Sequence, residues 1–119
     1  MRELTLQIES SVKAPGLSRS HLAPMRDSLG PCYEDVLLLV SELVSNSVRH
    51  SLSNEIDVSV RANGQRIRVE VSDDGPGFTA EAPRGDGLGL TIVEKISDRW
   101  GLTSGQRFTV WAEVLRPRV

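Results

Sequence analysis

Residues 33–50 read YEDVLLLVSELVSNSVRH, and this run decides the fold. Val36, Val40, Leu43, Val44 and Ser47 recur at helical spacing and mark one stripe for burial. Glu34 and Asp35 stand near the start and Arg49 and His50 at the end, the order that suits a helix dipole. Glu42 and Asn46 lie one turn apart and stack on a common face, which Arg49 and His50 continue. At about 100° per residue this polar face is expected well away from the Val36/Val40/Leu43 stripe. An amide oxygen such as that of Asn46 can ligate a hard cation. A carboxylate one turn earlier, Glu42, can take a proton from a nucleophile attacking a phosphate. Alone, the pair reads as readily as an ordinary solvated helix face, so its neighbours decide.

Downstream, Ile56, Val58 and Val60 alternate with Asp57, Ser59 and Arg61, and Ile67, Val69 and Val71 with Arg68, Glu70 and Ser72. Asn63-Gly64 between them predicts a type I′ hairpin. Upstream, Leu4, Leu6 and Ile8 alternate as a first strand, and Pro15-Gly16 is expected to break the chain. Leu22, Met25 and Leu29 predict a helix starting near Ser20 and ended by Gly30-Pro31. After a Gly/Pro-rich loop over 74–87, Leu88 to Trp100 reads as a helix stopped by Gly101, and Phe108, Val110, Ala112 and Val114 as a last strand. The order β-α-α-β-β-loop-α-β predicts a two-layer α/β sandwich: a mixed, mostly antiparallel sheet with three helices on one face, in a single domain spanning 1–119. Trp100 and Trp111 are expected in core or sheet packing.

Two glycine motifs flank the loop. Asp73-Asp74-Gly75-Pro76-Gly77-Phe78 follows a half-buried strand. A buried Asp73 needs a donor, and the exocyclic amine of adenine is one, whereas guanine offers a keto oxygen there. Gly75 and Gly77 let the backbone approach a flat base. Gly85-Asp86-Gly87-Leu88-Gly89 opens the next helix, where free N–H groups attract phosphate. It is no Walker A loop, since no Gly-Lys-Ser/Thr occurs, and no Rossmann fingerprint, since position 90 is Leu and loop precedes the motif.

The bulk numbers allow one compact domain of 119 residues. A net charge of −2 argues against a nucleic-acid binder, which needs a basic face. Cys32 is the only cysteine, so no internal disulfide forms and a cytoplasmic location is expected. No signal peptide or membrane span is expected from the charged first 30 residues and the short apolar runs.

A Glu-x-x-x-Asn helix, then Asp-x-Gly-x-Gly at a strand end, then Gly-x-Gly-x-Gly opening a helix: in this order and context the chain resembles the GHKL (Bergerat-fold) ATPase superfamily. Its N-box resembles Glu42–His50, its G1 box Asp73–Gly77 and its G2 box Gly85–Gly89. Thr109 resembles the last-strand Thr whose hydroxyl supports the adenine-binding Asp, although Gly105 stands four residues before it where the family has Gly-Thr. The segments ELVSNSVRHS, VSDDGPGF, GLGLTIVEKISDRWG and TVWAEV, with a short lid over 79–84, are similar to the stand-alone anti-sigma-factor serine kinases, the RsbW-like group. That resemblance implies binding of a sigma factor and Mg-ATP-dependent phosphorylation of a serine on an anti-anti-sigma (STAS-type) protein, with no nucleic acid or membrane contacted. It implies Glu42 as base, Asn46 as Mg²⁺ ligand and Asp73 as adenine reader. Gly75, Gly77, Gly87, Leu88 and Gly89 would shape the pocket, with Thr109 behind Asp73 and Arg49, His50 and Arg84 near the phosphates. A homodimer through the first strand and helix region is also implied. The competing reading is a binding module that sequesters a partner without phosphoryl transfer.

Overall fold

The strand alternation sets one apolar face of a five-stranded sheet, and the helices cover that face. The computed structural model describes residues 2–50, 53–75 and 90–117. The strands are β1 (Arg2–Glu9), β2 (Glu55–Ala62), β3 (Arg66–Asp73), β4 (Arg99–Thr103) and β5 (Phe108–Leu115), in the order β1-β2-β3-β5-β4. Every pairing among the described residues is antiparallel, so the sheet is not mixed. Ile56, Val58 and Val60 of β2, Ile67, Val69 and Val71 of β3, and Val110, Ala112 and Val114 of β5 point to the core. The helices are α1 (Ala14–His21), the single turn α2 (Arg26–Leu29), α3 (Tyr33–His50) and α4 (Leu90–Ile96).

Helix α3 keeps the expected boundaries, and Val36, Val40, Leu43, Val44 and Ser47 are all buried. Its buried face is broader than the sequence stripe, because Leu39 and Asn46, seven residues apart and so nearly eclipsed, are buried as well. Asn46 therefore joins the core rather than a face well away from it.

Four local expectations change. Pro15 and Gly16 do not break the chain: they lie in the first turn of α1, where proline's missing N–H costs no hydrogen bond. The helix expected over the 20s is split into short 3₁₀ turns around α2, and Gly30 ends α2 at φ 54°, a conformation that favours glycine. No type I′ turn forms at Asn63-Gly64, since Gly30 alone has positive φ among the described residues. Instead the Asn63 side-chain oxygen accepts from the backbone N–H of Gln65 at 2.8 Å and of Arg66 at 3.0 Å, closing the turn in place of a backbone carbonyl. The helix expected to reach Trp100 stops at Ile96, and residues 99–103 form edge strand β4, with Trp100 and Leu102 packed on the core.

The sheet's other face is polar and cross-linked by ion pairs. Arg68 donates to Glu70 at 2.7 Å and to Glu113 at 2.8 Å, and Arg99 reaches Glu113 at 2.8 Å. The guanidiniums of Arg68 and Arg99 stand over the Trp111 ring at 4.4 and 6.0 Å. Gly101 lies opposite Trp111, and a Cβ there would sit 2.8 Å from the indole.

Two outcomes are expected. Gly101→Ala forces the Trp111 ring out of place and lowers stability by about 1–3 kcal/mol, read as a lower melting temperature. The hydrogen bond from Arg68 holds the Glu113 carboxyl below its ordinary 4.5, against the opposing push of burial and with help from Arg99. A carboxyl depressed in the folded state stabilises fully above its unfolded value and loses that contribution as pH falls through the folded value. Glu113→Gln therefore melts below the wild type at neutral pH, and the gap closes in acid well under pH 4.5. A gap independent of pH removes the ionised pair as its cause.

Candidate functional site

The site is built where α3 crosses the end of β3. Strand parity turns Asp73 inward after Ile67, Val69 and Val71, and it is only 3% exposed. A carboxylate so placed requires donors. It has two: Ser47 Oγ donates to Oδ2 at 2.5 Å, and the Gly75 N–H donates to Oδ1 at 2.7 Å. The first comes from α3 and the second from the turn that follows β3.

Asn46, beside Ser47 on α3, is fully buried. Neither its amide nitrogen nor its amide oxygen has a hydrogen-bond partner among the described residues. Buried side-chain amides are nearly always paired, so an orphaned one points to a ligand. Glu42 sits one turn earlier and is half-buried. Arg49 is exposed and donates to Ser45 Oγ at 3.3 Å, while His50 closes the helix, half-buried. Asp73 and Gly75 are thus tied to α3 through Ser47, one residue from Asn46 in the helix. Gly77, Arg84, Gly87, Leu88 and Gly89 lie outside the described residues. Helix α4 opens at Leu90, directly after the second glycine motif.

Thr109 does not stand behind Asp73. Register pairs Thr109 with Ser72 and Phe108 with Asp73, so Thr109 points to the opposite face of the sheet. There its hydroxyl shares a 2.7 Å hydrogen bond with Ser72. The cause is parity: the threonine falls one position past Phe108, the buried residue that shares a register position with Asp73. Two contributors were missed in the sequence. Ser47 read as part of an apolar stripe, yet a serine buried opposite a strand that ends in Asp is a signal for a hydrogen bond. Arg107 binds Asp57 and, at 3.0 Å, Asp74, and so ties the turn after β3 to β2. No spacing rule reveals that contact.

A shallow cavity of about 420 Å³ lies on the sheet's polar face, lined by Thr5, Gln7, Asp57, Ser59, Glu70 and Ser72. It is on the wrong side of the sheet from Asp73, and its Asp57 and Glu70 are already held by arginines.

A helix-covered antiparallel sheet of this topology, with an Asn-bearing helix crossing an Asp-ended strand, defines the Bergerat class of ATPase domain. Residues 33–116 match the family model described as histidine kinase-, DNA gyrase B- and HSP90-like ATPase, and the chain belongs to that family. Among curated relatives it is 29% identical to the serine-protein kinase RsbW of Listeria innocua serovar 6a, over 81% of this chain and 76% of the relative. The same name and identity hold for RsbW of Listeria monocytogenes serotype 4a. Its backbone resembles the structure of the RsbU and RsbW domains of Rv1364c from Mycobacterium tuberculosis, with TM-score 0.75 and 20% identity, covering 98% of this chain but about a third (34%) of that longer one. Acinetobacter baumannii histidine kinase AdeS shares the fold at TM-score 0.57 and 15% identity, over 97% of this chain and 68% of its own. No helix among the described residues is long and apolar enough to cross a membrane.

Because the Asn46 amide has no partner among the described residues, Asn46→Leu is expected to raise the stability of the nucleotide-free chain by about 1–2 kcal/mol, the penalty of an unsatisfied buried polar group. Thermal melts without nucleotide check this, and a lower melting temperature for the variant would show the amide to be satisfied by the fold.

Proposed function

We propose that this chain is a Mg-ATP-dependent serine kinase of the anti-sigma class. In this reading it phosphorylates a serine on a STAS-type anti-anti-sigma protein and, in a separate complex, holds a sigma factor away from RNA polymerase. The observation that carries the reading is the contrast between two neighbouring buried polar groups. Asp73 is held by Ser47 and Gly75, whereas the Asn46 amide has no partner among the described residues. The name serine-protein kinase RsbW on relatives that align over most of this chain supports it.

The residues fit the cofactor. An unpaired amide oxygen is a suitable ligand for Mg²⁺, which takes few protein ligands and fills its shell with phosphates and water. Bound there, Mg²⁺ neutralises charge on the transferring phosphoryl group. Asp73 accepts the adenine amine and rejects the guanine keto oxygen. By the family resemblance, Gly75 and Gly77 would leave room for the base, and Gly87, Leu88 and Gly89 would serve the phosphates together with Arg49, His50 and Arg84. In the transfer, the partner's serine oxygen bonds to the γ-phosphorus and the bond to the β-bridging oxygen breaks. ADP leaves, and the serine proton passes to the Glu42 carboxylate, half-exposed and so reachable by a partner's side chain.

The test uses the whole chain, labelled ATP and a purified anti-anti-sigma protein. Wild type is expected to transfer label to a serine. Glu42→Ala is expected to bind ATP with unchanged affinity and to transfer about 100-fold or more slowly. Asp73→Asn is expected to lose at least about tenfold in ATP affinity by calorimetry, because its amide matches the adenine amine in one flip only. ATP binding without transfer by the wild type would make the chain a sequestering module; unchanged affinity in Asp73→Asn would take Asp73 out of the site.

A further inference from the structure

We infer that Ser47 is the positioning residue for purine recognition, in the place where the family resemblance puts Thr109; this rests on the ATP-binding reading above. The sheet register turns Thr109 away from Asp73 and bonds it to Ser72. The position on β5 that does face Asp73 is Phe108, which carries no hydroxyl. The hydroxyl that meets the carboxylate comes instead from the helix layer, at 2.5 Å, with Ser47 5% and Asp73 3% exposed.

Two features mark this bond as more than helix housekeeping. A serine inside a helix ordinarily returns its proton to the carbonyl four residues back. Ser20 of α1 does so to Gly16, but Ser47 spends its single proton on Asp73. Second, the carboxylate is pinned at both oxygens by donors from different elements, Ser47 of α3 on Oδ2 and Gly75 of the following turn on Oδ1. That fixes the plane of the group, so the lone pairs left over point in set directions. A fixed acceptor discriminates an N–H from a carbonyl oxygen more sharply than one free to rotate. Ser47 also adjoins Asn46 in sequence, so one turn of α3 sets both the purine reader and the candidate cation ligand.

The experiment compares ATP with purine riboside triphosphate, which has hydrogen in place of the 6-amino group, by calorimetry on the full chain. Wild type is expected to prefer ATP. Ser47→Ala is expected to lose about five- to tenfold in ATP affinity, the usual weight of one hydrogen bond, with no change for the 6-hydrogen analogue. Ser47→Thr keeps the hydroxyl and is expected to restore the preference. Melting curves and the affinity for the 6-hydrogen analogue show whether Ser47→Ala keeps the fold after losing this buried donor. An equal loss for both nucleotides would mean that Ser47 merely supports the fold, and no loss for either would mean that Asp73 holds its orientation without it; each overturns the inference. If Asp73→Asn loses ATP while Ser47→Ala does not, only the role of Ser47 falls. If the wild type binds neither nucleotide, the ATP-binding reading falls with it.

Discussion

A carboxylate in the core constrains everything around it. Asp73 enters the interior because strand β3 alternates without interruption from Ile67, and an ionisable group there is tolerated only with donors at hand. One donor must come from across the layer, and Ser47 supplies it. The bond therefore fixes the axial register of α3 against the sheet: a slip of one residue moves a helix by about 1.5 Å and turns Ser47 away. Apolar contacts such as Leu43 and Val44 against the sheet would accept small shifts, since they have no direction. The hydrogen bond would not. Buried Asn46 and half-buried Glu42 inherit their positions from that register.

The two faces of the sheet solve different problems. The inner face is apolar except at its end, where β3 delivers Asp73. The outer face carries charge, but in mutually compensating form: Glu113 is met by Arg66, Arg68 and Arg99, and Glu70 by Arg61 and Arg68. For Glu70 burial pushes the carboxyl up, and the two arginines outweigh it and bring it below its ordinary value. Such pairs, partly exposed, add modestly to stability and weaken in salt.

Much of this is legible in the sequence where a period is long. Helix α3 runs for 18 residues with a clean stripe and charged ends, and its limits match the expectation. Strands β2, β3 and β5 are equally plain because each alternates over 8 residues. Short elements escape. Strand β4 has 5 residues, follows a helix directly, and contains Gly101, which reads as a stop rather than as space for Trp111. Pro15 and Gly16 carry opposite meanings in a loop and in a first helical turn, and only tertiary packing chooses. In the site, Asn46 and Asp73 are legible from spacing, but their neighbours are not. Whether Thr109 faces inward depends on strand parity, which an irregular approach such as Gln106–Arg107 shifts by one. Ser47 is hidden because a small residue in a core stripe looks like filler.

The position of β5 has a consequence for how the domain assembles. Residues 63–65 join β2 to β3 and residues 104–107 join β4 to β5, so β2–β3 and β4–β5 are local hairpins. Joining them requires β3 to find β5, matching Asp73 with Phe108 and Arg66 with Leu115. That closure is long-range, as is the pairing of Glu9 with Glu55 between β1 and β2, and each costs loop entropy that the hairpins do not. The end of β3 lies on this seam, so the strand that carries Asp73 is flanked on both sides only once that closure is made. A ligand that contacted Asp73 at this seam would therefore bind the closed sheet rather than the open one and stabilise the folded chain by mass action.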